Sequence, residues 1–283
     1  MAASLNAIIS TLVFCVCVAP AYSTDAESPM PFVLDGEFIE GGLVRGSTAA
    51  GARVRLDGKQ IRVSGDGLFL LGFDRKAAAT SLLEIEFANG ELVSRKLTII
   101  DREYQTQRID GLPGKMVTPS AEDYVRIKAE QALINTVRER DTAETYFESG
   151  FYWPAFGIIS GVYGSQRILN GELKQPHYGI DIAAPRGTPV YAPANGVVSL
   201  THSDMYYTGG TLIIDHGHGL TSAFLHLHKI HVVEGQPLER GELVGEIGST
   251  GRATGPHLDW RVNLFSTRID AGLLVGPMPE LKK

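Results

Sequence analysis

The chain has 283 residues, of which 43% are apolar and 20% are charged, an ordinary composition for a globular protein with a hydrophobic core. This composition excludes a disordered chain, a collagen-like repeat and a polytopic membrane protein. Lys and Arg number 26 against 32 Asp and Glu, a formal net charge of −6. Because the chain is acidic and has no basic cluster, we expect neither a nucleic acid nor an anionic lipid as partner.

The first segment is predicted to be an export signal. Residues 5–21 are apolar and uncharged, and the run is short for a membrane span. Ala21-Tyr22-Ser23 fits the small-x-small pattern that signal peptidase cleaves. We therefore predict a signal peptide over 1–23 and an exported protein of the periplasm or bacterial cell envelope, with no stable span after cleavage. An uncleaved single-helix anchor is the alternative.

Residues 31–112 are predicted to form a small antiparallel β-sandwich. Apolar and polar residues alternate in short runs that are broken by Asp57-Gly58, Asp66-Gly67 and Asn89-Gly90. Alternation interrupted by Asp-Gly and Asn-Gly is typical of β-hairpins. The segment contains no His and no Cys, so we expect a spacer or a wall-binding module with no chemistry of its own.

Residues 113–150 differ in character and are predicted to be a linker with one helix. Pro113 and Pro119 interrupt the chain, and Ser120 followed by Asp123 resembles a capping box. The stretch that follows is rich in helix-forming residues, with an apolar stripe along one face.

The chemistry is predicted to lie in residues 151–283. All eight histidines of the chain fall between His177 and His257, and strands separated by glycine turns indicate an antiparallel β domain with an open cleft.

Three short pieces of this domain carry candidate metal ligands. They are His177-Tyr-Gly-Ile-Asp181, the isolated His226, and His257-Leu-Asp259. Residues i and i+2 of a strand project from the same face, so His257, Asp259 and Arg261 share one face and the first two can reach one point in space. A turn leading into a strand would let the two ends of the first piece converge as well. Imidazole and carboxylate are suitable zinc ligands, and a catalytic zinc keeps three protein ligands.

Residues from about 153 to 275 strongly resemble the lysostaphin/LytM-type zinc metalloendopeptidases that cut peptidoglycan cross-bridges. The resemblance rests on the three pieces above in this order together with the flanking GIDIAAP, DHGHG and VGEIGSTGRATGPHLDW. It implies a central antiparallel sheet with zinc on one face, bound by His177, Asp181 and the residue at position 259. It also implies that His226 and His257 do not bind the metal but polarise the water and stabilise the oxyanion, and it leaves open which one is the base.

The sequence departs from the family at position 259, where Asp stands in place of the usual His. An Asp oxygen binds zinc at about the same distance as an imidazole nitrogen, so we predict an active site with zinc held by His177, Asp181 and Asp259. The predicted function is a zinc-dependent endopeptidase acting on amide bonds in peptidoglycan cross-links. The alternative is a metal-free, degenerate regulator that binds and activates cell-wall amidases.

Further residues are candidates for contact with the peptidoglycan substrate. Tyr206 and Tyr207 lie in a loop that could line a peptide groove, and Arg167 and Asn170 precede the first motif and could cap the cleft. His216 and His218 have the His-x-His spacing of a zinc-binding pair. The family has Asp-His-Gly at this place in a hairpin turn, so we expect both histidines to lie outside the metal site.

Overall fold

The computed structural model describes residues 31–279, and the predicted signal peptide lies outside the described residues. The described part is mainly β, as predicted, and consists of two sheets that form a sandwich, a linker and a large C-terminal sheet. All three belong to one compact unit, and the proposed boundaries between them stay predictions. Within the described residues, no helix combines the length and the apolar character needed to cross a membrane.

The sandwich packs a three-stranded sheet, ordered β1-β2-β5, against a four-stranded sheet, ordered β4-β3-β6-β7. Its strands are β1 (Phe32–Gly36), β2 (Leu43–Thr48), β3 (Arg53–Leu56), β4 (Lys59–Ile61), β5 (Leu68–Gly72), β6 (Thr80–Glu86) and β7 (Leu92–Thr98). Val54, Leu83 and Ile85 come from one sheet and Phe69 and Leu71 from the other, and all five are fully buried in the core between them. The alternation seen in the sequence therefore places one face of each sheet inside.

The sandwich is followed by a short strand, β8 (Thr106–Ile109), and two helices, α1 (Gly114–Val117) and α2 (Ala121–Arg138). Below, the linker means residues 106–150, which add β8 to the predicted linker of 113–150. The capping box at the start of α2 is confirmed, because the Asp123 backbone N–H donates to Ser120 Oγ at 3.1 Å and the Ser120 N–H donates to the Asp123 carboxylate at 3.4 Å. Ile134 and Val137 pack against Ala223 and Leu225 of the large sheet. The linker helix therefore lies on one face of that sheet.

The C-terminal part is built on a ten-stranded sheet whose central order is β17-β14-β15-β16-β19-β12-β9, with β13, β18 and β20 attached at its sides. Its strands are β9 (Ile158–Gly161), β12 (Ile180–Ala183), β13 (Pro189–Tyr191), β14 (Gly196–Met205), β15 (Gly209–Asp215), β16 (Leu220–Ile230), β17 (Pro237–Leu238), β18 (Leu243–Ile247), β19 (His257–Leu264) and β20 (Thr267–Ile269). Two further strands, β10 (Gln166–Leu169) and β11 (Glu172–Leu173), form a separate small sheet in which β10 pairs with β8 of the linker in parallel.

The two faces of the large sheet have different roles. Leu258, Trp260 and Val262 of β19 point into the main hydrophobic core, where Trp260 is fully buried. The residues between them, Asp259 and Arg261, belong to the opposite face, as the alternation predicts. This second face carries the polar groups of the candidate site.

Candidate metal centre

The structure brings the three predicted metal ligands together. Donor atoms of His177, Asp181 and Asp259 lie within 4.8 Å of one another, and all three side chains are buried. Asp181 on β12 and Asp259 on β19 are direct partners across the antiparallel pair, so their side chains leave the sheet side by side. His177 precedes β12 and completes the cluster from the turn.

Two glycines leave room for the carboxylates. A Cβ on Gly179 would collide with Asp259 Oδ1 and would stand 2.7 Å from Cγ of Arg261. A Cβ on Gly161 of the neighbouring strand β9 would collide with Asp181 Oδ2. The glycine in the middle of His177-Tyr-Gly-Ile-Asp181 is therefore required by close approach, because any side chain there would displace Asp259.

Asp181 is held by a guanidinium on one side and faces the cluster on the other. Its Oδ2 accepts a hydrogen bond from Arg167 at 2.7 Å, and its Oδ1 lies 3.0 Å from Nε2 of His177. Burial and the charge of Asp259 raise the pKa of Asp181, but His177 and Arg167 outweigh them, so the pKa lies below its ordinary value. Asp181 is therefore a carboxylate at neutral pH.

Asp259 is paired with an arginine of its own strand. Arg261 donates from Nε to Asp259 Oδ1 at 3.0 Å and from Nη2 to Oδ2 at 2.6 Å, a bidentate geometry. Burial raises the pKa of Asp259, but Arg261 outweighs burial and the pKa lies far below its ordinary value. Asp259 is only 1% exposed, so its negative charge is balanced locally by Arg261.

The donor set fits a metal ion. Nδ1 of His177 is buried without a hydrogen-bond partner among the described residues, and Nε2 of His177 and Oδ1 of Asp181 lie 3.0 Å apart without the angles of a hydrogen bond. Such burial is costly unless a further group satisfies these atoms. Each oxygen of Asp259 accepts from Arg261, but a carboxylate oxygen has a second lone pair. One nitrogen and two carboxylate oxygens are ligands that zinc accepts.

His226 and His257 flank the cluster with their rings in contact, 4.7 Å between centroids. Nδ1 of His226 donates to the Thr250 carbonyl at 2.8 Å, and Nδ1 of His257 donates to the Gly255 carbonyl at 2.9 Å. Since a carbonyl only accepts, the neutral form of each ring carries its lone pair on Nε2. Nε2 of His257 lies 3.9 Å from Asp181 Oδ1.

His226 is held in an uncommon state. Its backbone adopts φ of 65°, a left-handed conformation that is unfavourable for a residue other than glycine. Burial lowers the pKa of its ring to about 4, so the imidazole is neutral near pH 7. A strained and neutral histidine beside buried carboxylates is typical of a functional site.

The cleft beside the cluster has a volume of about 280 Å³. One wall comes from the C-terminal part and includes Arg252, His226 and His257. The other wall comes from the linker through Gln107, Ile109 and Leu112.

The candidate substrate-contact residues make contacts with different parts of the protein. Arg167 belongs to the cluster through Asp181, as described above. Asn170 instead exchanges two hydrogen bonds with the backbone of Leu112, and Tyr206 donates its hydroxyl proton to the carbonyl of Lys115 at 2.8 Å. Both are engaged by the linker here, and their contact with substrate stays a prediction, as does that of Tyr207.

His216 and His218 lie apart from the cluster. His216 is fully buried, with Nδ1 bonded to the Asn195 carbonyl at 2.7 Å and Nε2 2.9 Å from Ser222 Oγ. His218 is buried with its ring against Phe147. Neither belongs to the group of residues that could hold a metal among residues 31–279.

Sequence reasoning placed Arg261 on the face of Asp259 but did not recognise their pairing. An Arg two residues after a buried Asp in a strand is the signal that could have revealed it. Arg252, which donates to the Met116 carbonyl at 3.2 Å and stacks 4.3 Å from the Tyr207 ring centre, had no comparable local signal, because its partners are distant in the sequence.

Comparison with solved structures supports the fold. A candidate M23 peptidase from Pseudomonas aeruginosa superposes with a TM-score of 0.66 at 29% sequence identity, covering 84% of this chain and 95% of that one. The similarity extends over the sandwich and linker as well as the large sheet, since it covers most of the chain. The described residues therefore have a mainly β, M23 peptidase fold.

Sequence comparison identifies the family of one part of the chain. Residues 175–271 match the model of peptidase family M23, and this chain contains a peptidase M23 domain. The peptidoglycan DD-endopeptidase ShyA of Vibrio cholerae is 46% identical over 96 residues, which is 34% of this chain and 22% of ShyA. The DD-carboxypeptidase/endopeptidase Mpg of Neisseria meningitidis is 39% identical over 105 residues, 37% of this chain and 24% of Mpg. The chain thus matches less than a quarter of the length of these curated relatives.

Proposed function

We propose that this protein is a zinc-dependent endopeptidase that hydrolyses amide bonds in the peptide cross-links of peptidoglycan. The observation that carries the proposal is the buried cluster of His177, Asp181 and Asp259, whose donor atoms converge inside an M23 domain. The names of the relatives ShyA and Mpg, both peptidoglycan-directed or DD-specific peptidases, support the choice of substrate. Such a substrate places the protein in the bacterial cell envelope.

Zinc held by His177, Asp181 and Asp259 would supply a Lewis acid and lower the pKa of a bound water. The chain itself provides the proton carriers. Nε2 of His226 and Nε2 of His257 both hold a free lone pair toward the cleft, because each Nδ1–H is fixed by a backbone carbonyl. These two atoms can accept a proton from water or donate a hydrogen bond to an oxyanion after protonation.

The positions of the two histidines suggest different tasks. His226 is held neutral by burial, which suits an acceptor that orients the attacking water. His257 is the nearer of the two to Asp181, within an ion-pair distance, which suits a group that becomes positively charged during the reaction and is then stabilised by a carboxylate.

One observation favours a second candidate function, a metal-free binding domain. Both oxygens of Asp259 already accept hydrogen bonds from Arg261, so this ligand is satisfied without a metal. In that case the protein would bind peptidoglycan without cleaving it.

Metal content and cleavage separate the two candidates. We expect the purified protein to bind about one zinc per chain and to release cross-link cleavage products from sacculi, detected by mass spectrometry, with activity lost in chelator. His177→Ala should lose both properties, while His231→Ala, which changes an exposed histidine outside the cluster, should keep both. A wild-type protein that binds no zinc in excess metal, or a fully active His177→Ala variant, would contradict the proposal.

A further inference from the structure

A second polar cluster lies on the same face of the large sheet, four residues beyond Asp259 on β19. At about 3.3 Å per residue this places Asn263 roughly 13 Å along the strand from Asp259. Asn263 on β19 pairs directly with Thr221 on β16 and with Arg268 on β20. Directly opposed residues of paired strands share a face, so these three side chains meet on the face that α2 covers.

Helix α2 adds a fourth side chain. Arg138 stands four residues after Ile134 and next to Val137, and the side chains of these two residues pack onto this face of the sheet. Since residues i and i+4 share a helix face, Arg138 points toward the sheet as well, and it is only 9% exposed. After burial, the charges of Arg268 and Arg261 are the main causes that lower the pKa of Arg138.

The second cluster contains hydrogen-bond donors that the protein does not use. Nε of Arg138, Nδ2 of Asn263 and Oγ1 of Thr221 are buried without a partner among the described residues. Asn263 and Thr221 are 0% and 1% exposed. The acceptor atom of Asn263 is already used, because Arg268 donates to its Oδ1 at 2.7 Å. The groups that remain are donors, apart from the hydroxyl of Thr221, which can do both.

The second cluster carries an excess of positive charge. Arg261 is paired with Asp259, and the partly buried Arg268 lies 5.4 Å from the centre of the Tyr178 ring and within the influence of Asp74. Arg138 forms no ion pair with a carboxylate of residues 31–279, and burial first, and then the two neighbouring arginines, lower its pKa well below the ordinary value. Asp215 opposes Thr221 across the sheet and accepts from Thr142 and Gly217. The carbonyl end of α2 offsets only about half a charge, so burying Arg138 without a partner is costly.

We propose that Arg138, Arg268, Asn263 and Thr221 form a binding site for a small oxyanion, of the class of inorganic phosphate or sulfate. Several acceptor oxygens on one compact anion satisfy guanidinium, amide and hydroxyl donors at the same time. The bound anion also balances the positive charge between α2 and the sheet, and it fixes the linker helix to the face that carries the metal cluster. This site does not depend on the proposed peptidase function.

The test measures anion binding to the purified chain in the presence of EDTA. We expect sulfate and inorganic phosphate, but not chloride at equal ionic strength, to raise the melting temperature in a saturable way, with binding confirmed by calorimetry. Arg138→Met should weaken sulfate binding by about tenfold or more, and Arg138→Lys, which keeps the charge, should weaken it less. The matched control is Arg95→Met, an exposed arginine of the sandwich, which should bind sulfate like the wild type.

A second readout does not depend on the bound anion. In chloride alone, Arg138→Met should melt at the same temperature as the wild type or higher, because it removes a buried cation that has no partner. His177→Ala should keep sulfate binding, which separates this site from the metal cluster. Equal effects of sulfate and chloride at equal ionic strength, or unchanged sulfate binding in Arg138→Met, would overturn the proposal.

Discussion

The pair formed by Asp259 and Arg261 should determine both the stability of the metal-free protein and its response to zinc. We consider Arg261→Met, which keeps the length of the side chain but removes its charge and all its donors. Asp259, 1% exposed, then loses the two hydrogen bonds of 2.6 and 3.0 Å that balance it. The reciprocal variant Asp259→Asn leaves Arg261 without its carboxylate.

Breaking a buried ion pair from one side costs about 3–5 kcal/mol. For domains of about 150–250 residues, 1 kcal/mol corresponds to about 2–4 °C in melting temperature, so each single variant should melt roughly 6–20 °C below the wild type in EDTA. The double variant Asp259→Asn/Arg261→Met removes both charges and should melt higher than the sum of the single effects predicts. The expected coupling free energy is about 3 kcal/mol.

The second part of the experiment repeats the melting measurements in saturating zinc. In Arg261→Met the metal is the remaining positive charge beside Asp259, so saturating zinc should raise the melting temperature of this variant by more than it raises that of the wild type. Asp259→Asn lacks one ligand and should respond less. The assay is thermal unfolding by circular dichroism in EDTA and in excess zinc, with metal content measured in parallel. Strictly additive single effects, or a zinc response of Arg261→Met no larger than that of the wild type, would refute this account of the pair.

Three further predictions concern the cluster, a buried histidine and the linker. Gly179→Ala should lose bound zinc and about 1–3 kcal/mol of stability, because its methyl group collides with Asp259; metal analysis and urea unfolding measure both. His216, whose pKa burial lowers to about 4, stays neutral when folded while the unfolded chain takes up a proton below about pH 6.5, so stability is present above that pH. His216 should account for about 3 kcal/mol of the stability lost as pH falls from 6.5 to 4. His226, whose pKa burial also lowers to about 4, titrates over the same range, so His216→Asn should make the loss smaller by about that amount without abolishing it. Ser120→Ala should cost about 0.5–2 kcal/mol in urea unfolding and leave the zinc content unchanged.

Local pattern was sufficient to predict most of the fold. The Asp-Gly and Asn-Gly turns with alternating residues gave the sandwich, and Ser120 with Asp123 gave the start of α2, because hairpins and helix caps are specified by residues close in sequence. Strand alternation also placed His257, Asp259 and Arg261 on one face of β19. Convergence of the three candidate ligands followed from this alternation together with the family resemblance.

Local pattern could not predict contacts between distant segments. The parallel pairing of β8 with β10, and the hydrogen bond between Tyr206 and the Lys115 carbonyl, join residues about 60 and 91 positions apart. For this reason the sequence did not predict the hydrogen bonds of Tyr206 with Lys115 and of Asn170 with Leu112, and the contact of both residues with substrate stays a prediction. The sequence also could not predict that Arg138 is buried without an ion-pair partner among the described residues, since an arginine in the last turn of a helix is ordinarily exposed to solvent near the helix carbonyls.

The charge pattern along β19 connects the metal cluster to the proposed anion site. The metal cluster contains two carboxylates, Asp181 and Asp259, and each is bound by one guanidinium, from Arg167 and Arg261. The two guanidiniums therefore balance the two carboxylates without a metal. A bound dication adds two positive charges to this neutral set of side chains and does not cancel two unbalanced negative charges. At the second cluster, four residues beyond Asp259, the balance changes, because Arg138 is buried without an ion-pair partner among the described residues. It follows that zinc affinity should depend mainly on the geometry of the donors, whereas anion affinity should depend on uncompensated charge. Raising the ionic strength with chloride should accordingly weaken sulfate binding more than zinc binding.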